Sequence, residues 1–432
     1  MNKYSFCITT RRLINMGNKI IRMPENVKHI IETLESNGYE AFAVGGCVRD
    51  ALMGRTPNDW DITTSATPLE VKSLFRRTID TGIKHGTVTI MIGKEGYEVT
   101  TYRIDGDYID GRHPDSVIFT RNLIEDLKRR DFTINAMAYN DRAGIVDAFE
   151  GVNDLENKII KCVREAKERF TEDALRILRA LRFSAQLGFS IDKHTSAAIE
   201  ELGKNLTLIS KERIQTELDK LITSPHPDRI TLVQLYGLNT YIFEGATSIN
   251  TNNSQLFENI SKLMNCLSKN HYLRWAALMH FEKEPSIVLK KLKFDNVTIN
   301  TCSKLVAAAH TPLPTDKPTL RRMIVKYGKD LFDHYLFDYI RGLSEASLYE
   351  YGDKSDIDTF YNLYQEVISS GDCISMKDLA VGGATLIKEG YEPGKKLGAI
   401  LDHLFNQVLD EPSLNNADTL LELAKDFNAS LS

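Results

Sequence analysis

Cysteine is scarce in this chain. There are six in 432 residues, and no two of them (Cys7, Cys47, Cys162, Cys266, Cys302, Cys373) form a CxxC pair. That excludes a zinc ribbon or a disulfide scaffold and fits a reducing cytosol. Long apolar runs are also missing: none approaches the roughly 20 residues that span a bilayer, so no membrane partner is expected. Nor does charge of one sign dominate. The 54 basic and 59 acidic side chains leave a net charge of −5, with 34 against 35 in residues 1–250 and 20 against 24 in residues 251–432. A polyanion must therefore be held by local stripes of arginine and lysine, because no global field draws it in. Internal repeats and low-complexity tracts are absent as well.

What is there is ordinary globular material, 42% hydrophobic and 26% charged, with enough length for about two or three domains. Residues 1–24 stand apart, with Lys3, Arg11, Arg12, Lys19 and Arg22 before the first acidic residue, Glu25. An acid-free basic leader fits either a mitochondrial transit peptide or a frayed terminus with Met16 or Met23 as alternative starts.

Apolar spacing at Val27, Ile30, Ile31 and Leu34 predicts a helix over 25–38. AFAVGG (41–46) reads as a buried strand entering a glycine pair, and CVRDALMG as a short helix. DWDIT (59–63) reads as a strand and PLEVKSLF (68–75) as a helix; TVTIMI (87–92) and YEVTTYR (97–103) read as a hairpin around Gly93 and Gly96. The polar segment 105–116 has turn composition. From about 122 the spacing becomes helical, LIEDLKRRDFTINAMAY included. The expected class is α+β: a small mixed-sheet head over 25–150, a helical neck over 151–225, and a helical body and tail over 226–432.

Chemistry concentrates in the head. A glycine pair before a helix lets backbone N–H groups approach a phosphate, and Arg49, one turn in, can clamp it. Residues two apart on a strand share a face, so Asp59 and Asp61 can hold Mg²⁺ between them. Glu98, on a strand of the same sheet, supplies a third carboxylate, which suits a two-metal site. This order of strand, glycine pair, helix with arginine and D-x-D is the layout of a polymerase-β-like nucleotidyltransferase head.

VGGCVRDALMGRTPNDWDITTSATP, GIKHGTVTI, YEVTTYRIDGDYIDGR, RRDFTINAMAYN, GVNDLENKII and EDALRILRALRFSAQLGF together resemble the class II tRNA nucleotidyltransferases, the family of CCA-adding enzymes and bacterial poly(A) polymerases. The resemblance covers roughly 40–225. It implies transfer of CMP and AMP from CTP and ATP to the 3′ hydroxyl of tRNA, with Mg²⁺ and without a nucleic-acid template. By motif, Gly46 and Arg49 would bind the nucleotide, Asp59 and Asp61 the metal, Glu98 would complete the carboxylate set, and Arg130 would touch the triphosphate.

TEDALRILRALRF reads as one helix with Thr171 as N-cap and Asp173, Arg176, Arg179 and Arg182 at i+3 steps along one face. Cytosine and adenine both present an exocyclic amine beside a ring-nitrogen acceptor. An aspartate accepting from the amine and an arginine donating to the ring nitrogen imitate a pairing partner for both, whereas uracil and guanine place a carbonyl opposite the aspartate. The family assigns this task to its E-D-x-x-R motif, here Glu172, Asp173 and Arg176. Arg179 and Arg182 would continue toward the phosphates or hold the helix. The family also links a loop like 105–116 to addition of the terminal A. Poly(A) polymerase and CC-only or A-only enzymes share the head chemistry and remain alternatives, and a non-catalytic RNA-binding protein is a further one.

In the body, LRWAALMHFEKEP (273–285) resembles the metal segment of HD-type phosphohydrolases, but His280 is followed by Phe281 where the motif needs aspartate, so a structural role is expected. RRMIVKYGK (321–329) is a basic patch suited either to tRNA or to a solvated helix face. Oligomeric state stays open.

Overall fold

The computed structural model describes residues 21–106, 117–251 and 253–430. The chain packs as two units, one of residues up to 244 plus 250–254, the other of 245–249 and 255 onward. The basic leader through residue 20 and most of the expected loop, 107–116, lie outside the described residues. Ile21 and Met23 are buried.

Helix α1 (Glu25–Ser36) buries Val27, Ile30, Ile31 and Leu34, one stripe of a 3.6 period, and ends before Gly38 at φ +88°. Strand β1 (Ala41–Val44) is wholly buried and leads through Gly45 into α2 (Gly46–Leu52). Then come β2 (Ile62–Thr64), α3 (Pro68–Leu74), β3 (Thr78–Gly82), β4 (Thr87–Ile92), β5 (Glu95–Thr101) and a small antiparallel pair, β6 (Arg103–Asp105) and β7 (Val117–Phe119). Helix α4 (Leu123–Lys128) precedes β8 (Met137–Asn140) and β9 (Gly144–Asp147). The main sheet runs β3-β4-β5-β2-β1-β8-β9, with β2 and β5 parallel and the other neighbours antiparallel.

Two expectations fail here. RRDFTINAMAY is not a continuous helix: α4 stops at Lys128, and Met137–Asn140 form a strand between β1 and the edge strand β9. All four residues of β8 are buried, so the strand lacks the polar alternation that separates a strand from a helix in sequence. DWDIT likewise reaches strand pairing only at Ile62, and Asp59–Asp61 form the approach to it. The alternation persists nonetheless: Asp59 and Asp61 are exposed and Trp60 is buried, and the Val44 N–H donates to Asp61 O at 3.0 Å.

No packing break falls at 150. Helix α5 (Gly151–Glu156) is held by the Asp147 carboxylate, which accepts from Gly151 N and Val152 N at 2.8 Å each. A Cβ at Gly151 would lie 2.2 Å from Thr133 O. Strand β10 (Ile159–Ile160) then pairs with β11 (Ser190–Ile191), framing α6 (Ala166–Glu172) and α7 (Leu175–Leu187). Helices α8 (Lys193–Leu202) and α9 (Lys211–Ile222) follow, and α9 packs along α7.

The chain breaks at Asp173, whose backbone is extended at φ −142° and ψ 103°. TEDALRILRALRF is therefore two helices. Thr171 lies in the last turn of α6, with its hydroxyl on Lys167 O at 2.8 Å, and caps nothing. Asp173 takes that role: its Oδ1 accepts from Leu175 N at 3.0 Å.

The second unit is helical throughout its described residues. His280 is buried, with Nδ1 3.1 Å from Tyr339 Oη and its ring stacked on His310 at 4.5 Å. Burial, reinforced by His310, pushes its pKa down to about 3, so the imidazole is neutral. Glu282 accepts from Thr247 N, Ser248 N and Ile249 N at 2.6–2.8 Å, closing the unit's first segment onto its helices. Of the basic residues in RRMIVKYGK, Arg321 is buried, with Nε 2.7 Å from Asp372 and Nη1 2.8 Å from Leu409 O, whereas Arg322, Lys326 and Lys329 are exposed, Arg322 pairing with Asp410 at 2.6 Å. No helix among the described residues is long and apolar enough to cross a membrane.

Candidate active site

The site begins at the glycine pair. Gly45 sits at φ +83°, ψ −127°, where side-chain-bearing residues are disfavoured. Its N–H donates to Met137 O at 3.1 Å, and a Cβ there would lie 3.0 Å from Arg130 Nη1. Gly45, more than Gly46, is the sterically required glycine, since a Cβ on Gly46 would meet Arg49 Nη2 at an ordinary 3.6 Å.

Arg49 is buried, with Nε on Asp50 Oδ1 at 2.9 Å and Nη1 on Asn135 Oδ1 at 2.6 Å. Asn135 Nδ2 in turn donates to Asp131 Oδ1 at 3.2 Å, and Asp131 Oδ2 accepts from Arg179 Nε at 2.8 Å. Burial alone would raise the Asp131 pKa. The Arg179 charge and hydrogen bond, helped by Asn135 and Arg176, overcome it and hold the carboxyl far below the usual range. Arg182 lies 3.0 Å from Glu217 on α9. Its pKa is lowered by burial, with Arg179 and Arg49 acting in the same direction. The α2 arginine and the two α7 arginines thus share one neighbourhood.

Arg130 reaches Asp126 Oδ2 at 3.5 Å. Asp126 is fully buried and also accepts from Thr63 Oγ1 at 3.2 Å and Arg129 Nη2 at 2.8 Å. On the other side, Arg130 faces Asp61. Although its side chain keeps access to solvent, the protein packed around Asp61 partly desolvates it, and this, with Asp59 adding to it and Arg130 opposing, raises its pKa. Two carboxylates crowded at a cleft, one of them partly desolvated, form a hard-oxygen donor set that fits a divalent cation.

Glu98 lies on β5 one step before the Val99–Ile62 register pair, which puts its backbone beside Asp61, and its side chain is exposed. Among the described residues no three carboxylate, imidazole or thiol groups are close enough to hold one ion. The expected convergence of Asp59, Asp61 and Glu98 is therefore not assembled here. Sheet register brings Glu98 alongside, but its side chain is not gathered in.

Around the Asp173 break the expected base-reading pair is held apart by other partners. Arg176 is buried, with Nη1 on Glu172 Oε2 at 2.5 Å and on Arg169 O at 3.1 Å, and Nη2 on Arg129 O at 3.3 Å. Asp173 Oδ2 accepts from Arg213 Nη2 on α9 at 2.8 Å. Arg213 and Glu217 were missed in the sequence reading; their signal is a pair of charged residues one turn apart, with Glu217 on the buried side of an amphipathic helix. Asp126, Asp131 and Asn135 were passed over too, although the last two lie inside RRDFTINAM.

Three family models match the chain: the poly A polymerase head domain over residues 41–161, the RNA- and SrmB-binding site of polymerase A over 188–249, and tRNA nucleotidyltransferase domain 2 over 268–424. The chain is 36% identical to a CCA-adding enzyme of Leuconostoc citreum over 420 residues, covering 95% of this chain and 98% of the relative. It is 36% identical to one of Lactobacillus helveticus over 424 residues, covering 95% and 100%. The crystal structure of the Bacillus stearothermophilus CCA-adding enzyme in complex with CTP is similar at a TM-score of 0.74 and 30% identity, over 93% of this chain and 97% of that one. With this sheet, these family models and near-complete coverage of such relatives, the chain belongs to the CCA-adding enzymes of the tRNA nucleotidyltransferase family.

Proposed function

We propose that this protein adds C, C and A to the 3′ end of tRNA from CTP and ATP, choosing each base with its own side chains. One observation carries the reading: Arg49, Arg179 and Arg182 gather around the shared partners Asn135 and Asp131, and Arg130 stands between Gly45 and Asp61. That pattern suits a nucleoside triphosphate whose phosphates lie between the arginines and whose α-phosphorus lies toward the aspartates.

Asp59 and Asp61 would hold the divalent ion, and Mg²⁺ matches their hard oxygen donors. When bound, it lowers the pKa of the attacking hydroxyl and offsets charge on the departing pyrophosphate. Glu98 completes the set by turning toward Asp61. The 3′ oxygen of the tRNA bonds to the α-phosphorus, the bond to the bridging oxygen of the β-phosphate breaks, and the proton leaves to water. Arg49, Arg130, Arg179 and Arg182 bind and orient the phosphates, and Gly46 lets the chain approach them. Asp173 and Arg176 read the base edge. To do so Asp173 exchanges Arg213 for the exocyclic amine, while Glu172 keeps the Arg176 guanidinium in plane. The five cysteines among the described residues are unpaired, which supports a cytoplasmic location.

The test is incubation with tRNA lacking CCA, with CTP alone and then with CTP and ATP. One or two C residues followed by a single A is the expected product. An unlimited A tail would make the protein a poly(A) polymerase, and C-only or A-only growth would make it a specialist.

A further inference from the structure

Phe183 has no place in the chemistry above, yet three cations gather on it. Its ring is buried, 6% exposed, and lies edge-on to Phe132 with centroids 5.7 Å apart at 80°. The guanidinium carbons of Arg182, Arg49 and Arg179 lie 4.2, 5.3 and 5.4 Å from its centroid. Two of these arginines come from α7 and one from α2, so the ring links the glycine-pair helix to the helix that follows the Asp173 break.

We propose that Phe183 is a positioning residue for the triphosphate, its ring fixing the spacing of Arg49, Arg179 and Arg182 while leaving their charge available to phosphate. This rests on the reading that those arginines hold the nucleotide. Three like charges drawn together repel one another, and the ring lies within 5.4 Å of all three guanidinium carbons. Carboxylates already meet each arginine from one side: Asp50, Asp131 and Glu217. A further carboxylate at position 183 would neutralise the cluster and repel the substrate. An aliphatic side chain would leave the cations facing apolar surface with nothing to offset it. An aromatic face attracts a cation through its quadrupole, carries no net charge and occupies no N–H donor.

The test replaces Phe183 in the full chain with 4-fluoro-, 3,5-difluoro- and 3,4,5-trifluorophenylalanine, which drain the ring face of negative potential with little change of shape. Each contact contributes about two- to fivefold, so KM for CTP and for ATP should rise stepwise to about tenfold at the trifluoro ring. KM for tRNA should stay put, which a purely structural role does not predict, and the melting temperature should fall only modestly as the ring contacts weaken. Phe183→Leu should raise the nucleotide KM at least as far. A nucleotide KM that is flat across the series, or a tRNA KM that climbs in parallel, overturns the proposal. If the unmodified protein adds neither CMP nor AMP, the functional reading has failed. Equilibrium dialysis with labelled ATP and Mg²⁺ then reads Phe183 by itself: weaker ATP binding along the series upholds it, and unchanged binding refutes it.

Discussion

The two packing units use the same kinds of charged side chain to opposite ends. In the first, arginines crowd one another at a cleft: Arg49, Arg179 and Arg182 share a ring, and Asp59 and Asp61 stand together. In the second, buried polar groups are closed off locally. Glu282 takes three backbone N–H groups, Arg321 takes a carboxylate and a carbonyl, and His280 sits neutral between Tyr339 and His310. Like charges held together cost stability and are retained where a ligand of opposite charge relieves them. In the second unit the charges satisfied by backbone are architecture. The difference separates a binding site from a scaffold more sharply than the count of charged residues in either.

Substitutions that cross this line should separate activity from stability. The largest effect expected is from Asp61→Asn, which should lower nucleotide transfer by about 10²–10³-fold. Because burial and Asp59 both disfavour the charged form of Asp61, its melting temperature should hold or rise. A falling melting temperature would class Asp61 with the scaffold. Glu282→Ala should do the reverse. It strands the buried Ile249 N–H and takes the partner from two less buried ones, Thr247 and Ser248, so urea unfolding of the second unit should weaken by about 1–3 kcal/mol, while ATP binding per folded molecule is unchanged.

Arg176→Ala sharpens the comparison inside the cleft. Selection of CTP over UTP, read as the ratio of kcat/KM values, should relax by about 1–3 kcal/mol, or roughly tenfold to a hundredfold. Equal loss for both nucleotides would make Arg176 a structural link between Glu172 and Arg129. His280 gives the smallest and most gradual effect. The folded protein keeps it neutral down to about 3, while the unfolded chain protonates it near the ordinary value of about 6.5. Between those limits the unfolded state binds the extra proton, so this contribution to stability is present above about pH 6.5 and is lost as pH falls. His280→Gln should flatten the decline of the urea midpoint between about pH 7 and about pH 5.

Legibility along the chain followed the range of the interactions. The 3.6 period of α1, the glycine pair and the β4–β5 hairpin were open to reading because each depends on neighbours a few residues apart. Strand β8 is indistinguishable from helix in the sequence because the burial of all four residues removes its alternation. The break at Asp173 was invisible because the segment is rich in helix formers and carries no glycine or proline. There a Leu175 N–H bond and an ion pair from Arg213 hold the chain extended, against local propensity. The side chains of the site divide the same way. Asp59, Asp61, Arg49 and Arg176 stood out by motif, whereas Asn135, Asp126, Glu217 and Phe183 act only through partners elsewhere in the chain.

By itself the sequence determined which residue types were available and where: a glycine at the turn into α2, where φ is positive, two aspartates in alternation, and arginines at helical spacing. Tertiary structure decided whom they meet. Arg49 finds Asn135 86 positions away, Arg179 finds Asp131 48 away and Asp173 finds Arg213 40 away. Local backbone geometry is set by sterics within a few bonds and is written into neighbouring residues. Charge pairing depends on distance through space and on the water excluded between the partners, which are settled when the sheet and helices pack.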